Sequence, residues 1–172
     1  MAFIRSVRGF MPQIAADVFL AETAVIIGDV VIGEGSSVWY NAVVRGDVHS
    51  IRIGKNTNIQ DGAIIHCTYQ KASTTIGNNV TIGHSAIIHG CTLHDFVLIG
   101  MGAKVLDHAV VPENTMVAAG GLVLERMVLE SGFLYAGVPV KKIKALTDKQ
   151  IEGLRTYANN YILYSQWFRE NE

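Results

Sequence analysis

The chain has 172 residues, 49% of them hydrophobic and 17% charged, with a net charge of −1 at pH 7. That length buries a substantial core in one domain, and the balanced charge excludes both the basic excess of a nucleic-acid binder and the acidic tract of a disordered tail. No apolar run reaches the length of a membrane span, and the first residues, MAFIRSVRGFMPQ, lack the apolar stretch of a secretory signal, so a cytoplasmic protein with no membrane partner is expected.

Residues 1–13 form a lead-in whose Phe3, Ile4 and Phe10 are expected to cover one open end of a repetitive fold. From Ile14 a period of six takes over. Aliphatic residues recur at Ile14, Leu20, Ile26, Ile32, Val38 and Val44, at Ile53, Ile59 and Ile65, at Ile76, Ile82 and Ile88, and from Leu93 through Ile99, Val105, Val111 and Val117 to Val123. Four residues after each stands a small or β-branched one, such as Ala24, Ala42, Ala63, Ala86 and Ala103. Six fits neither the 3.6 of an amphipathic helix nor the 2 of a half-buried strand; it is the signature of a parallel β-helix. The repeat spans 14–127, and 128–146 is an exit segment. Thr147 and Gln150 then form a capping box for a helix that occupies about 22 residues of the segment 147–172 and is roughly 33 Å long, with Ile151, Leu154, Ala158, Tyr161, Ser165 and Phe168 on one stripe.

The units IGEGSS, IGKNTN, IGNNVT and IGMGAK resemble the left-handed parallel β-helix of the hexapeptide-repeat superfamily. In that fold three units close a triangular turn, so the repeat makes about six turns stacked at roughly 4.8 Å. Within the superfamily, VVRGD, NIQD, AIIHC and IGHSAIIHGC are similar to the γ-class carbonic anhydrases over about residues 10–145.

The register positions the histidines. The second residue of the third face runs Ile27, Arg45, His66, His89, Leu106, Leu124, so His66 and His89 stack one strand apart. The third residue of the second face runs Glu22, Tyr40, Asp61, His84, Met101, Ala119, which puts His84 around a corner. A catalytic zinc takes three protein ligands at about 2.1 Å and keeps a fourth position open. Three histidines on two faces meet this demand when the face carrying His66 and His89 abuts another copy's His84. A homotrimer with three shared sites is therefore expected, and the resemblance implies the same, with zinc (or iron or cobalt) between subunits. Arg45, just below His66, would pair with Asp61 of the neighbour. The sequence departs from strict period six at three points, all at the corner between the third face and the next first face: three extra residues before Ile53, five before Ile76 in the loop around CTYQKAS, and one too few before Leu93. Binding residues gather at such loops on rigid scaffolds.

The resemblance implies hydration of CO2 to bicarbonate by metal-bound hydroxide. It gives Gln60 the role of orienting the hydroxide or a CO2 oxygen, makes Asp47 an orienting carboxylate beside the ligands, and brings Tyr161 from the helix to the pocket. Efficient members of the family carry a glutamate immediately after RGD and an acidic loop after the first histidine to export protons. Here Val48 stands in the first place, and CTYQKASTT has no carboxylate, so weak activity is expected. Other functions with the same parts are a metal-dependent thioesterase or hydrolase acting on acyl-CoA, a hexapeptide acyltransferase without a metal triad, and a metal-binding trimer without turnover. His49, His94 and His108 are taken as surface or hydrogen-bonded residues, and Cys67 and Cys91 as reduced thiols.

Overall fold

A computed structural model describes residues 1–169. Short parallel strands stack into a three-faced solenoid, and the columns of period six become its ladders: Ile14 pairs with Ile32, Leu20 with Val38 and Ile26 with Val44. The second face is one eight-stranded sheet. The first and third faces form one eleven-stranded sheet because the strands Val25–Ile32 and Val43–Ile53 run around the corner between them.

The aliphatic column points inward and fills the prism: Ile26, Val44, Ile59, Ile65, Ile82, Ile88, Ile99 and Val105 are all 0% exposed. Each such side chain contributes about 1.5–3 kcal/mol by leaving water. The alanines of the small column are equally buried because they end the corner turns. Ala63 N donates to Gln60 O at 3.1 Å, and Ala86 N donates to Gly83 O at 3.1 Å. The third residue of each turn has a positive φ, 68° at Gly62 and 58° at Ser85, which is the type II pattern. A leucine at Ala63 would overfill a corner that has no spare volume.

The solenoid extends beyond the six turns expected, to about seven. Strand Phe3–Arg5 pairs with Val25–Ile27 and adds a layer to the third face below the first full turn. At the other end, Val128 bridges Val110, and Phe133–Gly137 pairs in parallel with Met116–Val117. Leu129 and Tyr135, spaced by six after Val123, continue the buried column at 4% exposure each. Strand Val140–Ala145 then turns back antiparallel and closes the second face with an edge rich in lysine, a composition that discourages further pairing.

The helix Asp148–Arg169 begins at the expected capping box. Thr147 N donates to Gln150 Oε1 at 3.1 Å, and Gln150 N donates back to Thr147 Oγ1 at 3.3 Å. It descends the second face from late turns to early ones. Arg155 lies 4.0 Å over the Phe96 ring, Tyr161 meets Trp39 edge-on at 5.5 Å between centroids, and Phe168 contacts Phe19 at 5.6 Å. Leu154, Ala158 and Ser165 are its buried residues. Among the described residues no helix is long and apolar enough to cross a membrane.

Candidate metal centre

His66 and His89 end the strands Ile64–His66 and Ile87–His89 and are direct ladder partners. The spacing of adjacent strands therefore brings their rings together, with centroids 5.1 Å apart and His66 Nδ1 3.1 Å from His89 Nε2. His84 is the second residue of the corner turn Gly83–Ala86, so its side chain leaves the prism at the edge of the second face, directly above Asp61 in the turn below. Among the described residues of one chain, no three histidine, cysteine or carboxylate side chains converge on one point.

Each of the three rings is held by a carboxylate. His66 Nε2 lies 3.1 Å from Asp47 Oδ1, His84 Nδ1 lies 2.9 Å from Asp61 Oδ2, and His89 Nδ1 lies 2.6 Å from Asp107 Oδ1. An ionised carboxylate only accepts hydrogen bonds, so the ring protons sit on those three nitrogens. His66 Nδ1, His84 Nε2 and His89 Nε2 are left with their lone pairs. Orientation of a ligating imidazole by a carboxylate on its other nitrogen is the usual arrangement at zinc. With both rings neutral, the lone pairs of His66 and His89 face each other across 3.1 Å, a repulsive contact that either a proton or a metal ion between them relieves. Two nitrogens bound tetrahedrally to one zinc at about 2.1 Å stand roughly 3.4 Å apart. The two ring nitrogens are therefore spaced as two zinc ligands from one chain would be.

The electrostatics favour the same state. Burial, reinforced by the Arg45 charge, lowers the His66 pKa despite the opposing pull of Asp47, so the ring is neutral at neutral pH. Burial alone would raise Asp47, but hydrogen bonds from His66 and Arg45 hold it below the ordinary carboxylate value. Asp107 behaves alike: burial is outweighed by hydrogen bonds from Thr68 and His89.

The remaining candidates surround this centre. Arg45 Nη1 lies 2.5 Å from Asp47 Oδ2, so within one chain it braces the carboxylate that holds His66. Asp61 uses Oδ2 on His84. Gln60 faces outward from the second face but is only 6% exposed, and its Nε2 donates to Asn58 Oδ1 at 3.0 Å. Tyr161, on the helix, has its pKa raised, chiefly by burial and then by the Asp61 charge, so its hydroxyl keeps its proton. Asp107 and Thr68 join the site although no sequence motif marks them. The available signal is Asp107's place directly after Leu106 in the column of His66 and His89.

At the irregular corner, the extra residues of Val43–Ile53 form a bulge between Gly46 and Ile51. Beside it opens a cleft of about 290 Å3 lined by Arg8, Asp47, Val48, His49 and Arg52 among others. His49 Nδ1 accepts from Ser50 N at 2.8 Å. The loop after His66 is closed by Thr68 N donating to Ala72 O at 3.0 Å. Cys67 and Cys91 are free and buried, with thiols pushed up by burial to about 11 and about 12.

The family model for the bacterial transferase hexapeptide (six repeats) matches residues 11–46. A probable carbonic anhydrase of Methanocaldococcus jannaschii is 44% identical over 154 residues, which cover 90% of this chain and 96% of that protein. The chain belongs to the γ-class carbonic anhydrase-like family of hexapeptide-repeat proteins. Gamma carbonic anhydrase 2, mitochondrial, of Arabidopsis thaliana is 48% identical over 160 residues, 90% of this chain, and the match spans 58% of that longer protein. The crystal structure of a hexapeptide transferase family protein from Anaplasma phagocytophilum superposes with a TM-score of 0.93 at 42% identity, covering 96% of this chain and 98% of that one.

Proposed function

We propose that the chain is a zinc-dependent carbonic anhydrase-like enzyme that hydrates CO2 reversibly to bicarbonate at three sites shared between the subunits of a homotrimer. The observation that carries this reading is the approach of His66 Nδ1 to His89 Nε2, 3.1 Å apart, with each ring held on its other nitrogen by a carboxylate. His84, oriented by Asp61 on another face, is the third ligand and serves the neighbouring subunit's pair. Iron or cobalt suits the same donors.

Zinc held there would lower the pKa of a bound water to about 7, as it does in carbonic anhydrase. The protein's part is to hold and orient. Asp47, Asp61 and Asp107 fix the three imidazoles, and Arg45 braces Asp47. Arg45 also meets the neighbour's Asp61, whose second oxygen points to the interface in this reading. Gln60 directs the reacting oxygen, and Tyr161 donates a hydrogen bond at the pocket edge. Val48 offers no proton acceptor at the place where efficient relatives carry one, so turnover is slow unless buffer removes the proton.

The test is zinc content and CO2 hydration by stopped flow on protein purified without chelators and supplemented with zinc. About one zinc per chain with measurable hydration is expected. Metal-free protein would remove the site, and a zinc-loaded trimer inert toward CO2 would leave a metal-dependent thioesterase or hydrolase acting on acyl-CoA, or a non-catalytic trimer.

A further inference from the structure

We propose that Asp107 is the positioning residue for His89, and that Thr68 transmits the conformation of the loop 67–73 to it; this rests on His89 being a zinc ligand. Both carboxylate oxygens of Asp107 are engaged. Oδ1 lies 2.6 Å from His89 Nδ1, and Oδ2 accepts from Thr68 Oγ1 at 2.5 Å. A carboxylate held at one oxygen cannot swing about its terminal bond, so Thr68 sets the direction in which the other oxygen meets the ring.

The surroundings are shaped for this contact. Gly90, at φ 56°, lies under the carboxylate, and a Cβ added there would stand 2.3 Å from Asp107 Oδ1 and 2.7 Å from Ala72 Cβ. No side chain fits between the histidine strand, the loop and Asp107. The far end of the loop holds the other histidine. Thr74 Oγ1 donates to His66 O at 2.5 Å and accepts from Gly90 N at 2.9 Å. The loop therefore acts as a brace with two feet: Thr74 fixes the backbone that presents His66, and Thr68 fixes the ring of His89 through Asp107. The five residues inserted before Ile76 are the means by which the solenoid brings a hydroxyl to a carboxylate 39 positions away.

Asp107→Ala, Thr68→Val and Thr68→Ser test this with two readouts. The first is zinc affinity by competition with a chromogenic chelator; loss of such an orienting contact typically weakens binding by roughly 10–100-fold. The second is the tautomer of His89 from side-chain 15N shifts in metal-free protein. Wild type is expected to hold the proton on Nδ1, Asp107→Ala to weaken zinc binding and release the tautomer, Thr68→Val to do so partially, and Thr68→Ser to match wild type. A folded Asp107→Ala protein with wild-type affinity and an unchanged tautomer overturns the proposal. Should Asp107→Ala not fold, Thr68→Val decides by the same two measurements. If wild type binds no zinc, the metal reading falls, and the tautomer comparison still rules on Asp107 and Thr68.

Discussion

His66 and His89 are adjacent rungs of one ladder, with ring nitrogens 3.1 Å apart, while His84 leaves the prism from a different face. A site built from all three must therefore cross from one copy of the chain to the next. His66→Ala and His84→Ala homotrimers should each bind no zinc. Trimers containing both kinds of chain always have one junction where a His84→Ala chain supplies His66 and His89 and a His66→Ala chain supplies His84. Doubly tagged mixed trimers should recover about one third of the wild-type zinc, read by metal analysis. Verified mixed trimers without zinc, beside a zinc-loaded wild type, would place the whole site within one chain.

Arg45→Ala removes a guanidinium that braces Asp47 in its own chain and, in the trimer reading, meets Asp61 of the neighbour. Stranding a buried carboxylate costs up to about 3–5 kcal/mol. A loss of roughly 3 kcal/mol weakens association about a hundredfold. Sedimentation across nanomolar to micromolar protein should show trimers dissociating at higher concentration than wild type. Superimposable profiles would confine Arg45 to its own chain.

Val48→Glu puts a titratable group into the cleft beside Asp47 and His49. With proton export limiting, CO2 hydration should rise about tenfold in dilute buffer, with the gain vanishing in concentrated imidazole. Val48 also packs on the core, so trimer and zinc content must be matched first. No gain in a matched, zinc-replete variant would move the bottleneck elsewhere.

Cys67 and Cys91 should resist alkylation in the folded protein. With thiols near 11 and 12, about a thousandth and a ten-thousandth of each is thiolate at pH 8, against about a tenth for an ordinary cysteine near 9. Iodoacetamide followed by mass spectrometry should therefore show a rise of at least about a hundredfold on unfolding. Rapid labelling of Cys67 in the native state would contradict its buried environment.

The solenoid was legible because six-residue spacing maps directly onto ladder partners: once Ile65 and Ile88 share a column, so must His66 and His89. The seventh turn carries the same signal in Leu129 and Tyr135, but the intervening residues lack the Ile-Gly pattern and the strand order ends in an antiparallel return, so periodicity alone understated it. The brace from Thr68 to Asp107 lay beyond register reasoning for another reason. Register fixes where a strand residue sits, whereas Thr68 lies in an insertion whose path is set by its own turn and by the space over Gly90. Gln60 shows the limit from the other side: its column faces outward, and its 6% exposure reflects tertiary cover that no repeat encodes.

The descending helix has a consequence for synthesis. A stack of repeats in which each turn touches only its neighbours can grow turn by turn as the chain emerges, but here Arg169 donates to the Asp17 carbonyl 152 positions away, and Phe168 packs on Phe19 and Trp39. The aromatic strip on the earliest turns stays uncovered until the helix Asp148–Arg169 has left the ribosome. Contacts of that separation are slow to form and leave apolar surface open meanwhile. The nascent chain is therefore open to aggregation until that helix has been made, and truncations that remove the two helical turns carrying Phe168 should fall mainly on soluble yield, not on the turns that carry the histidines.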